Sequence, residues 1–451
     1  MTLFVRLCRV TALLAGAACV LVLPPAADSQ SFSGSGGPRD PGVRQAPASA
    51  GLPISGLTPG QLGAFNEGLS AFDEVVFVKD PPPGGDAGLG PGFNSDSCSS
   101  CHAFPVIGGT SPTLNPQVAV AVKLGARNRI PPFIRLDGPV IEARFKRNPD
   151  GSRDGGVHNL FVITGRTDAP GCNAVQEDFS NAGNISFRIP TPVFGLGLVE
   201  AIPDSILQRN LANNAALKSS LGISGHFNLS GNDGTITRFG WKAQNKSLVI
   251  FAAEAYNVES GVTNQVFPQE RNESPNCMYN ASPEDADDLE SGEPGDVAVF
   301  ANFMRFLAPP ASAAPTDSIR SGADLFIRTG CALCHTPTLQ TGRHPVAALS
   351  GKPVNLFSDL ALHDMGPGLA DEIAQGSAGG SEFRTAPLWG LGQRIFFLHD
   401  GRTKDLLAAI RAHASGDQRT GRPSEANEVT NRFNQLGSSQ QQDILNFLRS
   451  L

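Results

Sequence analysis

Apolar residues recur at helical spacing in only a few short stretches of this chain, and elsewhere they are scattered among glycines and prolines. Leu62, Phe65, Leu69 and Phe72 fall on one face of a helix that Thr58-Pro59-Gly60-Gln61 opens, with Thr58 as N-cap and Pro59 in the first turn. Further on, Ile319, Ala323, Phe326 and Ile327 share a face behind a capping Asp317, and Gly330 closes that helix. Two more stripes read as helices over 297–307, with Phe300, Met304 and Leu307 inward, and over 439–451, with Ile444, Phe447, Leu448 and Leu451 inward. The order of helix, loop and closing helix therefore occurs twice, divided by Pro309-Pro310. Between 118 and 291, apolar runs such as 118–124 and 160–164 alternate with turn residues such as Ser230-Gly231-Asn232-Asp233-Gly234, which predicts a partly β insertion of short strands.

These patterns predict a mainly α, loop-rich chain of two similar parts, 51–310 and 311–451, the first carrying the insertion at about 118–291. Residues 28–50 are rich in Ser, Gly and Pro without an apolar period and read as a flexible linker. The 50 glycines and 35 prolines imply that much of the rest is ordered loop.

The first 27 residues change the picture. Arg6 and Arg9, an apolar run from Thr11 to Leu23 and Pro24-Pro25-Ala26-Ala27 form a secretory signal peptide, which predicts export and a periplasmic address. No later stretch has the length for a membrane span. The formal net charge of −7 grows more negative once those arginines leave, which argues against nucleic acid as a partner and leaves small redox proteins open.

The sharpest chemistry lies in two copies of Cys-x-x-Cys-His, Cys98-Ser99-Ser100-Cys101-His102 and Cys331-Ala332-Leu333-Cys334-His335. Each reads as a covalent haem c attachment site, the two thiols binding the macrocycle and the histidine ligating iron. Paired zinc knuckles normally stand about 15 to 20 residues apart, a spacing these motifs far exceed. A redox dithiol would not need His after the second Cys in both copies. The two parts thus become two cytochrome c-like haem domains. Of the remaining cysteines, Cys8 and Cys19 leave with the signal, so Cys172 and Cys277 are candidates for a disulfide. In the chain-entropy account, closing a loop of roughly 100 residues stabilises by about 4 to 5 kcal/mol.

Gly322 and Phe326 before the second motif, with Phe447 and Leu448 in the terminal helix, resemble the crossed helices of cytochrome c. The segments Gly90-Pro91-Gly92-Phe93-Asn94-Ser95-Asp96-Ser97, Arg238-Phe239-Gly240-Trp241-Lys242-Ala243, Leu362-His363-Asp364-Met365-Gly366, Phe383-Arg384-Thr385-Ala386-Pro387-Leu388-Trp389-Gly390 and Leu398-His399-Asp400-Gly401-Arg402 resemble the di-haem oxidoreductase family, which is thiol oxidoreductase-like and related to bacterial di-haem cytochrome c peroxidases. The resemblance spans residues 60–451. It implies an oxidoreductase enzyme, peroxidase-like, in which the C-terminal haem stores an electron and the N-terminal haem meets hydrogen peroxide or another small oxidant, with a small redox protein as electron donor. A di-haem electron carrier and a di-haem oxygenase are the alternatives. A calcium ion between the parts is left open.

In those peroxidases a Met before His-Asp-Gly ligates the second iron, whereas Leu398 stands here and cannot ligate. Met365 is then the first candidate for that position, with His399, His413 and His363 as alternatives. Near the first haem, Glu142 or His158 could move a proton in peroxide cleavage, against the simpler reading of an ion pair to Arg144 or Lys146 for Glu142 and a loop hydrogen bond for His158. Easily oxidised side chains are scarce, just Trp241, Trp389, Tyr256 and Tyr279. Trp241 and Trp389 sit in the motifs richest in resemblance and are candidates for an electron relay, the alternative being that both are core aromatics.

Overall fold

Thr58 caps the first helix as its sequence dictates, accepting from the Gln61 amide while the Gln61 side chain reaches back to the Thr58 backbone. The computed structural model describes residues 36–47, 49–83, 85–154, 162–269, 275–287, 292–417 and 422–451. His158 and residues 1–27, read above as a signal peptide, lie outside the described residues. Among the described residues helix makes up 32% and strand 9%, so the class is mixed rather than mainly α.

Helices α1 (Pro59–Asp73), α2 (Cys98–Cys101) and α3 (Pro116–Lys123) precede strand β1 (Glu142–Phe145), which pairs antiparallel with β2 (Ile185–Arg188). The 118–124 run, expected as a strand, is helical because Asn115 caps it with its side chain on the Gln117 amide and Pro116 presets its first turn. Helices α4 (Leu196–Glu200), α5 (Asp204–Ala212), α6 (Ala215–Ser220) and α7 (Leu248–Ser260) follow, then α8 (Asp296–Phe306). The second part opens with α9 (Asp317–Thr329) and holds four short strands in two antiparallel pairs, β3 (Leu339–Gln340) with β4 (Pro353–Val354) and β5 (Leu362–Asp364) with β6 (Glu382–Arg384). Helices α10 (Leu406–Ala412), α11 (Asn427–Gln435) and α12 (Ser438–Ser450) end the chain.

The same helix crossing is built twice. In α1, a Cβ on Gly68 would come within 2.6 Å of Val299 O and 2.8 Å of Phe303 Cβ, so only glycine lets α8 pack this close. In α9, a Cβ on Gly322 would strike Asp443 O and lie 2.7 Å from Phe447 Cβ of α12. Four residues after each glycine comes a phenylalanine, one helical turn along the same face. The Phe72 ring meets Phe303 at 4.9 Å and His102 at 5.8 Å, and the Phe326 ring meets Phe447 at 5.4 Å and His335 at 6.3 Å. The repeat read from helix order is thus a repeat of geometry around each Cys-x-x-Cys-His.

Some local expectations shift. Thr316, not Asp317, caps α9, since its hydroxyl accepts from the Ile319 amide while Asp317 occupies the first turn. Ile327 is 58% exposed and Leu325 takes its place in the core, because the buried stripe turns with the helix towards α12. Leu62 is likewise exposed. The segment read as a flexible linker is anchored from Pro38 onward, within the unit Pro38–Leu451. Asp40 forms a two-point ion pair with buried Arg449 of α12, and the Arg44 amide donates to Gly392 O. The main core gathers Phe194, Phe239, Phe303 and Leu207 with Leu349, Leu356 and Trp389, so apolar packing crosses the Pro309-Pro310 point. A disulfide joins Cys172 to Cys277.

Candidate functional site

Two cavities open at the two Cys-x-x-Cys-His motifs. The first encloses ≈1420 Å³, its open mouth included, and is lined by Cys98, Cys101 and His102, by Glu142, Arg144 and Arg188 from the β1–β2 pair, and by Glu254, Tyr256 and Glu259 of α7. The second encloses ≈1430 Å³ on the same measure and is lined by Cys331, Cys334 and His335, by Phe326 and Leu448 of the α9–α12 crossing, and by Arg384, Arg394, His399 and His413. Trp241 lines both.

The two motif histidines are set alike. His102 Nδ1 lies 3.2 Å from Gly109 O, and His335 Nδ1 lies 3.0 Å from Phe357 O. A carbonyl oxygen only accepts, so each Nδ1 carries a proton and each Nε2 is turned away from that bond, with His102 Nε2 lying 3.8 Å from Glu259 Oε2. That is the tautomer an iron ligand needs, with its ring held by the second hydrogen bond. Burial, followed by the neighbouring His413, pushes His335 down to about 4, so it is neutral at pH 7. The thiols of Cys98, Cys101 and Cys331 are also uncharged. Burial drives Cys98 well above the ordinary thiol range, Cys101 to about 11 and Cys331 to about 12. Neutral, walled-in thiols suit a covalent structural attachment better than a reactive redox pair.

The remaining sequence candidates sort by position. Glu142 lines the first cavity and is ion-paired with Arg144 at 2.7 Å, while Lys146 pairs instead with Glu372. Met365, His399 and His413 all reach the second cavity. His413 Nδ1 donates to Ala409 O at 2.8 Å, one turn back in α10, leaving Nε2 towards the cavity as in His335. His399 stacks face to face on Phe383 at 4.3 Å, and burial pushes it down to about 4. His363 is held at both nitrogens, Nδ1 by Glu425 at 2.7 Å and Nε2 by Asp359 at 3.1 Å, which leaves neither for iron. Burial alone would lower His363, but the charges of Cys334 and Asp359 overcome it and raise the imidazole well above its usual range. In turn Glu425, despite burial, is held at about 2 by His363 and Ser224. Cys334, Asp359 and His363 together bring three potential metal-ligating atoms within 4.8 Å, but a sulfur and an imidazole do not suit calcium. Trp389 lines neither cavity and packs in the main core against Gly195.

A buried charge cluster stands behind these walls. Asp371 is fully buried and takes Arg188 Nη2 at 2.6 Å and Lys242 Nζ at 3.0 Å. Lys242 Nζ also sits 3.9 Å above the Phe383 ring, on whose other neighbour, His399, the edge of Trp241 closes at 6.3 Å. Trp241 Nε1 donates to Ile189 O at 3.0 Å. Arg188 and Trp241 belong to segments before Pro309 and Asp371 to one after it, so only the folded chain brings them together.

A family model described as "Di-haem oxidoreductase, putative peroxidase" matches residues 149–451. The chain belongs to this family. The match contains the second Cys-x-x-Cys-His, and the first lies upstream of it. As a di-haem oxidoreductase the protein is an enzyme with haem cofactors. No curated protein matches the chain. Among the solved structures that align with the di-haem oxidoreductase are the following two. Hydrazine synthase of Kuenenia stuttgartiensis, pressurised with xenon, is 14% identical over 95% of this chain and 100% of its own, with a TM-score of 0.37. A MauG-like protein associated with microbial copper homeostasis is 16% identical over 57% of this chain and 89% of its own, with a TM-score of 0.29. Both superpositions are loose, and neither bears on the site. Among the described residues no helix is long and apolar enough to cross a membrane.

Proposed function

We propose that this di-haem oxidoreductase is a periplasmic c-type enzyme of peroxidase type, in which the first cavity is the reaction site and the second stores an electron. Haem would be attached through Cys98 and Cys101 and held by His102, and a second haem through Cys331 and Cys334 and held by His335. The observation that carries this is the duplicated setting of the two motif histidines, each with Nδ1 on a backbone carbonyl, each beside a phenylalanine from a glycine-gated helix crossing. On this reading the two parts are haem domains, 51–310 and 311–451. The signal sequence supports export, and the Cys172–Cys277 disulfide suits an oxidising compartment.

The bound haems supply the one-electron and peroxide chemistry. The walls around them differ in what they offer. The second cavity presents His413, whose Nδ1 is already committed to Ala409 O, and His413 would help hold that haem in preference to Met365, whose thioether loses nothing in an apolar wall. Among the described residues lining the first cavity, His102 is the one imidazole. That leaves the opposite side of the first site to a small oxidant such as hydrogen peroxide. Glu142 holds a carboxylate there for proton movement, with Arg144 fixing its orientation. Trp241 lies where an electron would pass between the cavities, and a small redox protein is the proposed donor.

Pyridine haemochrome on the full chain should give two haems, and Cys98→Ala with Cys101→Ala, or Cys331→Ala with Cys334→Ala, should each remove one. Reducing the second haem should then let the first react with peroxide while a donor protein is oxidised. Zinc in place of haem would end the reading. Two haems without peroxide reactivity in any redox state would make the protein a carrier, and oxygen consumption without peroxide turnover an oxygenase.

A further inference from the structure

Buried arginines in this fold have carboxylate partners. Arg188 has Asp371, Arg166 has Asp168, Arg238 has Asp204 and Arg449 has Asp40. Arg384 and Arg394 depart from that rule. Each is 8% exposed, each lines the second cavity, and neither has an acidic partner among the described residues. Arg384 uses its Nε on Gly240 O at 2.9 Å, and the Arg394 guanidinium has no hydrogen bond among the described residues.

The cavity cannot neutralise them from within. Glu425, which also lines it, is committed to His363 and Ser224. The same wall also carries Leu388, Leu391, Phe397 and Leu398, which offer no charge. Burial, and for Arg384 also the like charge of Arg394, pushes both guanidinium groups down to about 10, so both remain charged at pH 7. Two buried cations that repel each other across apolar surface cost free energy unless anions complete them. The anions must be two, must enter a mostly apolar space and must suit planar forks.

We propose that Arg384 and Arg394 form the anion-binding pair of the second cavity, each taking one propionate carboxylate of the haem attached at Cys331 and Cys334. This rests on the haem reading above and adds which edge of the macrocycle faces which wall. It also ties that edge to the first cavity, because the Arg384 amide donates to Trp241 O at 2.9 Å and its Nε to Gly240 O. A shift of the Arg384 side chain would therefore be transmitted to the backbone of the tryptophan shared by both cavities.

The test uses the full holoprotein. Arg384→Met and Arg394→Met should keep two haems per chain, since attachment is by thioether, while the midpoint potential of the second haem falls because its propionates lose a compensating cation. The first haem is the internal reference and keeps its potential. Resonance Raman should show the propionate bending bands of the second haem displaced. Arg384→Lys and Arg394→Lys keep the charge but lose the fork, so they should shift less and serve if the methionine variants accumulate poorly. Unchanged potential and bands in a variant carrying both haems would overturn the assignment and leave the haem reading standing. A second-haem potential in wild type that moves with added inorganic phosphate or acetate at fixed ionic strength would overturn it too, in favour of a free anion site. Absence of the second haem from wild type would overturn both.

Discussion

Asp371→Asn removes one carboxylate from between two cations and should be among the costliest single changes in this protein. The Asp371 side chain is fully buried, with Arg188 on one oxygen and Lys242 on the other. Breaking a buried ion pair by deleting one partner typically costs about 3 to 5 kcal/mol, because a charge is left without compensation. The two cations share that cost unequally. Burial already pushes Lys242 from 10.5 to about 8, with the attraction of Asp371 opposing it. Without Asp371 the lysine can shed its proton, and at pH 7 this limits its share to about 1.4 kcal/mol, one further unit of pKa. Arg188 has no such escape and must carry the rest. Adding Lys242→Met to Asp371→Asn should therefore recover about 1 kcal/mol, and adding Arg188→Met should recover more. The measurement is urea unfolding of the holoprotein, comparing midpoints at a common slope. Burial would raise the Asp371 carboxyl, but Arg188 and Lys242 overcome it and hold the group below its ordinary value. A depressed carboxyl contributes its stability above the unfolded value near 4 and loses it as pH falls through the folded value, so the gap between wild type and variant should close in acid. A loss below about 1 kcal/mol at pH 7, or a gap that persists unchanged at pH 2, would refute the argument.

His413→Met should leave two haems but replace a bis-imidazole spectrum of the second haem by one with a thioether charge-transfer band and raise its potential, whereas Met365→Leu should leave both unchanged; the reverse pattern would return the ligand to Met365. Trp241→Phe should slow electron transfer between the haems at least tenfold with both haem spectra intact, and Trp389→Phe should leave the rate unchanged while lowering stability by about 1 kcal/mol through the space vacated in the core beside Gly195.

What the sequence makes legible is whatever is local. The capping box at Thr58, the glycine at the end of α9 and the two Cys-x-x-Cys-His runs each carry their signal within a few residues, and the structure places the cap and the helix-closing glycine as their spacing predicts. The 118–124 run reads as a strand because four apolar residues alternate there with polar or small ones, whereas the deciding signal is the Asn115-Pro116 start rather than the periodicity. The linker reading of 28–50 missed Asp40 and Arg44 for a different reason. Their partners, Arg449 and Gly392, stand at the other end of the chain, and composition says nothing about pairs so far apart.

The chemistry of the cavity walls is of this second kind. Arg188, Lys242 and Asp371 look in sequence like three ordinary surface charges, and Arg384 and Arg394 like two more. Their burial is the signal, and burial is a property of the fold. Charges are taken out of water only where something repays the cost. For Asp371 the repayment comes from within the chain, as two cations on one carboxylate. For Arg384 and Arg394 the described chain offers no acid at all, so the same accounting points outward to a ligand with two negative charges. The contrast between these two clusters separates what holds the two parts together from what the second cavity is shaped to receive. It also explains why Trp241, whose neighbour Lys242 belongs to the first cluster and whose carbonyl is held by Arg384 of the second, sits at the junction of both.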